Sequence, residues 1–155
     1  MKAYSDVHNN PASLKAALRR NYNSMNNTNL TVGRRHILNL EGLLWLYGET
    51  GTTSLLTKAE TAYKTGGFEF DATDAGSDEY IYLHGVTYSE MLKVPMLLYA
   101  YTGNEEYLRI AINAERKLER DHMLPDGVPS SAEYTLGQDI DIAHETCDIT
   151  DYTWS

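Results

Sequence analysis

Apolar residues recur at helical spacing through most of the chain. Ile37, Leu40, Leu43, Leu44 and Tyr47 form one stripe and predict a helix over about Arg34 to Glu49. Thr50-Gly51 follows, with glycine where a left-handed cap ends a helix. Leu55, Leu56, Ala59, Ala62 and Tyr63 predict a partner over about Ser54 to Thr65, closed by Gly66-Gly67. A third pattern covers about Val86 to Tyr101. Pro95 lies inside it, lacks an N–H and crowds the carbonyl four residues back, so a kink or a split-off first turn is expected. Thr102-Gly103 ends that pattern. Asn104 then fits an N-cap, and Glu105 and Glu106 suit the first turn of a helix running to about Asp121. Its inner stripe is Tyr107, Leu108, Ile110, Ala111, Ala114 and Leu118. A shorter helix is expected from Ala12 to about Tyr22, after Pro11, and a last one from near Ala143 or His144. Residues 1–13, the asparagine-rich stretch 21–31, the acidic stretch 68–81 and residues 128–141 read as loops.

The pattern repeats. Leu46-Tyr47-Gly48-Glu49-Thr50-Gly51 with Leu56 matches Leu98-Tyr99-Ala100-Tyr101-Thr102-Gly103 with Leu108, every equivalent position fifty-two residues on. Each copy is a helix, a tight glycine turn and an antiparallel helix. One such hairpin cannot bury its own apolar face, so stacked hairpins are expected, in an open solenoid or a closed α/α toroid. Solenoid linkers are short, whereas the loops here are long and rich in acids and tyrosines. That favours a toroid, in which such loops gather at one end and build a site. Within this pattern Trp45, Tyr47, Tyr99 and Tyr101 read as hairpin core, and Tyr88 and Tyr134 as facing the cavity.

Charge narrows the partners. A net charge of −9 argues against nucleic acid or an anionic membrane surface. No apolar run approaches a membrane span, and no signal peptide is visible in the first fifteen residues, which favours the cytoplasm over secretion. Twelve tyrosines against two phenylalanines suggest half-buried, hydrogen-bonding aromatics of the kind that face carbohydrate, although tyrosine also serves as ordinary core. Oligomeric state is not legible. Both ends look cut: the last residues stop inside an expected helix, so the chain reads as a single partial domain, a fragment of a longer protein.

The chemistry concentrates near the end. Cys147 is the one cysteine, Glu145 stands two residues before it and His144 directly before that. Carboxylate, thiolate and imidazole are zinc-binding groups. Glu133 lies twelve residues upstream of Glu145, beyond a loop carrying Asp139 and Asp141, and carboxylates grouped near a metal suit acid/base work. The pattern E-x-C is short, and a buried thiol beside a surface acid also fits it. His8 and His122 read as surface, and His144 as exposed or a neighbour of the motif.

Taken in order, His84-Gly85-Val86 opening a helix, the Leu-Tyr-x-x-Thr-Gly turn, Pro125-Asp126-Gly127, Ser131-Ala132-Glu133 and Glu145-Thr146-Cys147 resemble glycoside hydrolase family 127, the β-L-arabinofuranosidase-like enzymes. The resemblance spans about residues 33 to 155. It implies part of an (α/α)6 barrel, a carbohydrate substrate and a zinc ion held by one glutamate and three cysteines. By the same resemblance Glu145 and Cys147 are metal ligands, Glu133 is the general acid/base, and His84 contacts the sugar. His36 is the best match to a second sugar-contacting histidine, though the family's neighbouring residues are absent around it. The family's nucleophile is a further cysteine downstream, which this chain lacks. The expected mechanism is retaining, and residues 1–155 alone are expected to be inactive, to bind zinc weakly and to expose hairpin leucines such as Leu43 and Leu98. Two alternatives stay open. One is a zinc-independent α/α-toroid enzyme that pairs Glu133 with Asp139 or Asp141. The other is a non-catalytic helical-repeat binding module, in which His84, Glu133 and Glu145 do not converge.

Overall fold

The computed structural model describes residues 7, 12–26, 30, 38–65, 77–138 and 144–155. Secondary structure among them is helical, joined by isolated β-bridges. The chain forms two compact units, Met1–Phe68 and Glu69–Ser155. No helix among the described residues is long and apolar enough to cross a membrane.

The first unit holds α1 (Ala12–Ser24), α2 (Leu38–Thr50) and α3 (Thr53–Thr65). Helices α2 and α3 form a hairpin, and α1 packs on α2 through buried Leu18 and Tyr22. Tyr22 reaches α2 where Gly42 leaves room: a Cβ at Gly42 would stand 2.3 Å from the Tyr22 hydroxyl. Lys58 of α3 donates to the carbonyls of Tyr22, at 2.6 Å, and Met25, beyond the end of α1. Those two carbonyls belong to the group that a helix leaves without partners at its C-terminus.

The second unit holds α4 (Gly85–Met91), α5 (Lys93–Thr102), α6 (Glu105–His122) and α7 (Thr146–Trp154). The long pattern expected from Val86 to Tyr101 is split at Leu92, which keeps helical dihedrals. Pro95 is the cause, because it offers no N–H to the carbonyl of Met91. Helices α5 and α6 form the second hairpin, and α4 packs against α7.

The two hairpin turns agree atom for atom. Gly51 and Gly103 take φ of 64° and 69°, left-handed values open to glycine. Their N–H groups donate to Tyr47 and Tyr99 carbonyls at 2.7 and 2.8 Å. Thr50 and Thr102 hydroxyls donate to the carbonyls of Leu46 and Leu98, each at 2.7 Å. In both turns that hydroxyl also accepts the N–H two residues on.

One expectation is corrected. Leu43 and Leu98 are not exposed; each is 0% accessible, on helices that pack in hairpins, α2 with α3 and α5 with α6.

Candidate functional site

Residues 131–135 are the hub of the second unit. This short strip, bent at Glu133, carries no helix propensity signal, and its backbone groups find partners on two sides. Thr135 N–H donates to Leu83 O at 2.8 Å and Gly85 N–H donates to Glu133 O at 3.0 Å, on the side of α4. Glu145 N–H donates to Ser131 O at 3.0 Å, on the side of α7. The starts of α4 and α7 are therefore tied to one strip, and His84 and Glu145, the residues that cap them, stand at the same end of two packed helices.

His84 is held by its own helix. Its Nδ1 accepts the N–H of Thr87 at 3.2 Å and lies 3.0 Å from the Thr87 hydroxyl. A backbone N–H can only donate, so Nδ1 keeps its lone pair and the proton of the neutral ring sits on Nε2. That nitrogen stands 3.3 Å from the Glu133 carboxylate. Glu133 itself has φ of 75° and is the one non-glycine residue with positive φ among those described. An L-residue in that region carries strain of roughly 1–2 kcal/mol, which the surrounding strip must hold in place. Its side chain is 69% exposed, so it meets solvent as well as the imidazole.

The approach of strip to helix depends on Gly85. A Cβ there would stand 2.2 Å from Ser131 Oγ and 2.4 Å from Ser131 Cβ. Behind Gly85 lies a buried polar group that the residue pattern does not announce. Asp148 of α7 is 0% exposed and accepts the Ser89 hydroxyl of α4 at 2.6 Å, which joins the two helices. Burial pushes its carboxyl above the usual range. The second carboxylate oxygen of Asp148, and Ser131 Oγ, are buried without hydrogen-bond partners.

Cys147 is exposed, and its thiol lies 3.7 Å from Glu145 Oε2. Thiolate and carboxylate at adjacent corners of a tetrahedral zinc site are about 3.5 Å apart, from the usual bond lengths. The pair therefore fits two corners. No group of three or more potential ligands occurs among the described residues. His144 joins no such group; its Nε2 faces Asp126 at 3.7 Å. His36, Asp139 and Asp141 lie outside the described residues, as does His8.

Two further readings are corrected. His122 is not at the surface: it is 0% exposed, with Nε2 2.8 Å from Ile81 O and Nδ1 accepting the N–H of Gly137 at 3.0 Å. It was missed because it follows the charged run Glu119-Arg120-Asp121 at a helix end, while the groups that bury it come from distant loops. Tyr88 faces the core, 3% exposed, its hydroxyl donating to Ala114 O at 3.0 Å. Tyr134, by contrast, is 47% exposed beside His84, ring centroids 6.3 Å apart. A separate groove of about 590 Å3 is lined by Leu92, Met96, Ile112, Glu115, Tyr152 and others, none of them from the strip.

Comparison of the chain with family models, with curated proteins and with solved structures finds no match.

Proposed function

We propose that the second unit carries the acid/base side of a glycoside hydrolase site, in a protein of the β-L-arabinofuranosidase-like kind. Each hairpin is read as a part of an α/α toroid. The observation that carries this reading is the His84–Glu133 pair: an imidazole with a defined tautomer facing an exposed carboxylate on strained backbone. Glu133 delivers a proton to the glycosidic oxygen as the bond to the leaving group breaks. The Nε2–H of His84 then faces the carboxylate that remains, 3.3 Å away. Glu145 and Cys147 are two of its zinc ligands. Bound zinc would keep thiolate ligands deprotonated near neutral pH. A non-catalytic repeat module gives no reason for His84, Glu133 and Glu145 to share one strip. A carboxylate-only enzyme would pair Glu133 with Asp139 or Asp141, which lie outside the described residues.

Calorimetric titration of residues 1–155 with methyl β-L-arabinofuranoside tests the reading. Binding is expected, is lost in His84→Ala and persists in Glu133→Gln, which keeps shape but cannot act as an acid. Absence of binding in the unaltered chain, or unchanged binding in His84→Ala, counts against it.

A further inference from the structure

The segment leading into α4 alternates. Tyr80 and Tyr82 are 56% and 62% exposed, and Ile81 between them is buried. The alternation is anchored from α6. Asn113 donates to Ser77 O at 3.2 Å, Arg116 and Arg120 both bind Asp78, and His122 Nε2 meets Ile81 O. With Ile81 held inward, its neighbours must point outward.

Tyr82 does not stand alone there. Its ring stacks on Tyr134, centroids 5.3 Å apart and planes within 15°. Tyr134 meets the edge of the His84 ring, and His84 faces Glu133. Tyr82, Tyr134, His84 and Glu133 thus form one unbroken line from an exposed aromatic pair to the carboxylate. The centroid separation exceeds ring thickness, so the two tyrosines overlap only in part. They present a broad apolar step to solvent beside a polar group that can move a proton.

We propose that the Tyr82–Tyr134 pair is a carbohydrate platform, binding the apolar face of the sugar ring on the leaving-group side of the bond that Glu133 protonates. The C–H groups on one face of a sugar ring carry small positive charge and are drawn to the negative face of an aromatic ring. The tyrosine hydroxyls at the rim stay free to meet sugar hydroxyls. An acidic chain disfavours a nucleotide as the stacking partner, because its phosphate would be repelled. The proposal rests on the sugar-cleaving reading of His84 and Glu133 and extends it by one ring.

Saturation-transfer NMR on residues 1–155 tests it with two probes: methyl β-L-arabinofuranoside and the methyl glycoside of a β-linked L-arabinofuranosyl disaccharide. The disaccharide should bind roughly tenfold more tightly, its second ring strongly saturated from tyrosine protons. Tyr82→Ala and Tyr134→Ala should each remove that advantage and leave monosaccharide binding intact. Tyr82→Phe and Tyr134→Phe should preserve it, and circular dichroism of all four variants verifies the fold. If the alanine variants keep the disaccharide advantage, the platform is wrong while the His84–Glu133 site stands. If neither sugar binds the unaltered chain, the sugar-cleaving reading fails and the platform with it. A polyproline peptide that competes at Tyr82, with no sugar doing so, would overturn the carbohydrate assignment.

Discussion

His84 Nε2 stands 3.3 Å from the carboxylate of Glu133, although the two lie forty-nine positions apart in the chain. The contact is made by backbone: Gly85 N–H donates to Glu133 O, and Thr135 N–H to Leu83 O. The strip therefore delivers Glu133 to His84 in left-handed geometry, with a strain that glycine would not have.

That strain makes a comparison of two variants informative. Glu133→Gly and Glu133→Ala both remove the carboxylate, but only glycine relieves the positive φ. Chemical denaturation should find the glycine variant about 1 kcal/mol more stable than the alanine variant. Equal stabilities would mean that Glu133 is not held in the left-handed region.

Gly85 is the second backbone requirement. Its missing Cβ is what lets Ser131 approach, and Ser131 Cβ, unlike a long side chain, cannot swing aside. Gly85→Ala should cost roughly 1–3 kcal/mol in urea unfolding, the range for overpacking. It should also weaken sugar binding, because the strip bearing Glu133 must shift. A variant of unchanged stability would show that the strip packs more loosely against α4.

The hairpins were legible in the sequence because their determinants are local. Gly51, Gly103 and Pro95 act through their own φ or missing N–H, and Thr50 and Thr102 bond within one turn. The site was legible only as a set of reactive residues. What joins His84 to Glu133, and α4 to α7 through Ser89 and Asp148, is pairing between distant segments, which periodicity does not encode. Nothing in the residue pattern marks Asp148, which is buried beside Gly85. The expectation that Leu43 and Leu98 lack cover rests on reading the chain as part of a larger barrel, and the apolar pattern does not say what lies on that face.

Acid should loosen the segment that carries Tyr80 and Tyr82. Burial holds the His122 imidazole below its usual range, and its neutral ring uses both nitrogens, one donating to Ile81 O and one accepting from Gly137 N–H. The unfolded chain takes up a proton near pH 6.5 that the folded chain resists. The His122 contribution is thus complete above about pH 6.5 and is lost as pH falls from there toward the lower folded value. Tm should fall on acidification over this range, and His122→Gln, though less stable at neutral pH, should show a flatter profile. An equally steep profile in the variant would place the titration elsewhere.

Zinc offers a test of the other half of the site. Two donors, Glu145 and Cys147, leave half of a tetrahedral shell to water, so residues 1–155 should bind zinc weakly. Cys147→Ser should abolish that binding, because a neutral hydroxyl is a far poorer ligand than a thiolate. An identical calorimetric isotherm for the variant would remove Cys147 from the ligand set.

The most direct measurement is where a sugar lands. Amide chemical shifts of 15N-labelled residues 1–155 can be followed while methyl β-L-arabinofuranoside is added. The account predicts perturbations concentrated at His84, Gly85 and Glu133, where one strip brings the imidazole and the carboxylate together. Perturbations clustered instead at Met96, Ile112 and Tyr152, around the separate groove, or none at all, would contradict it.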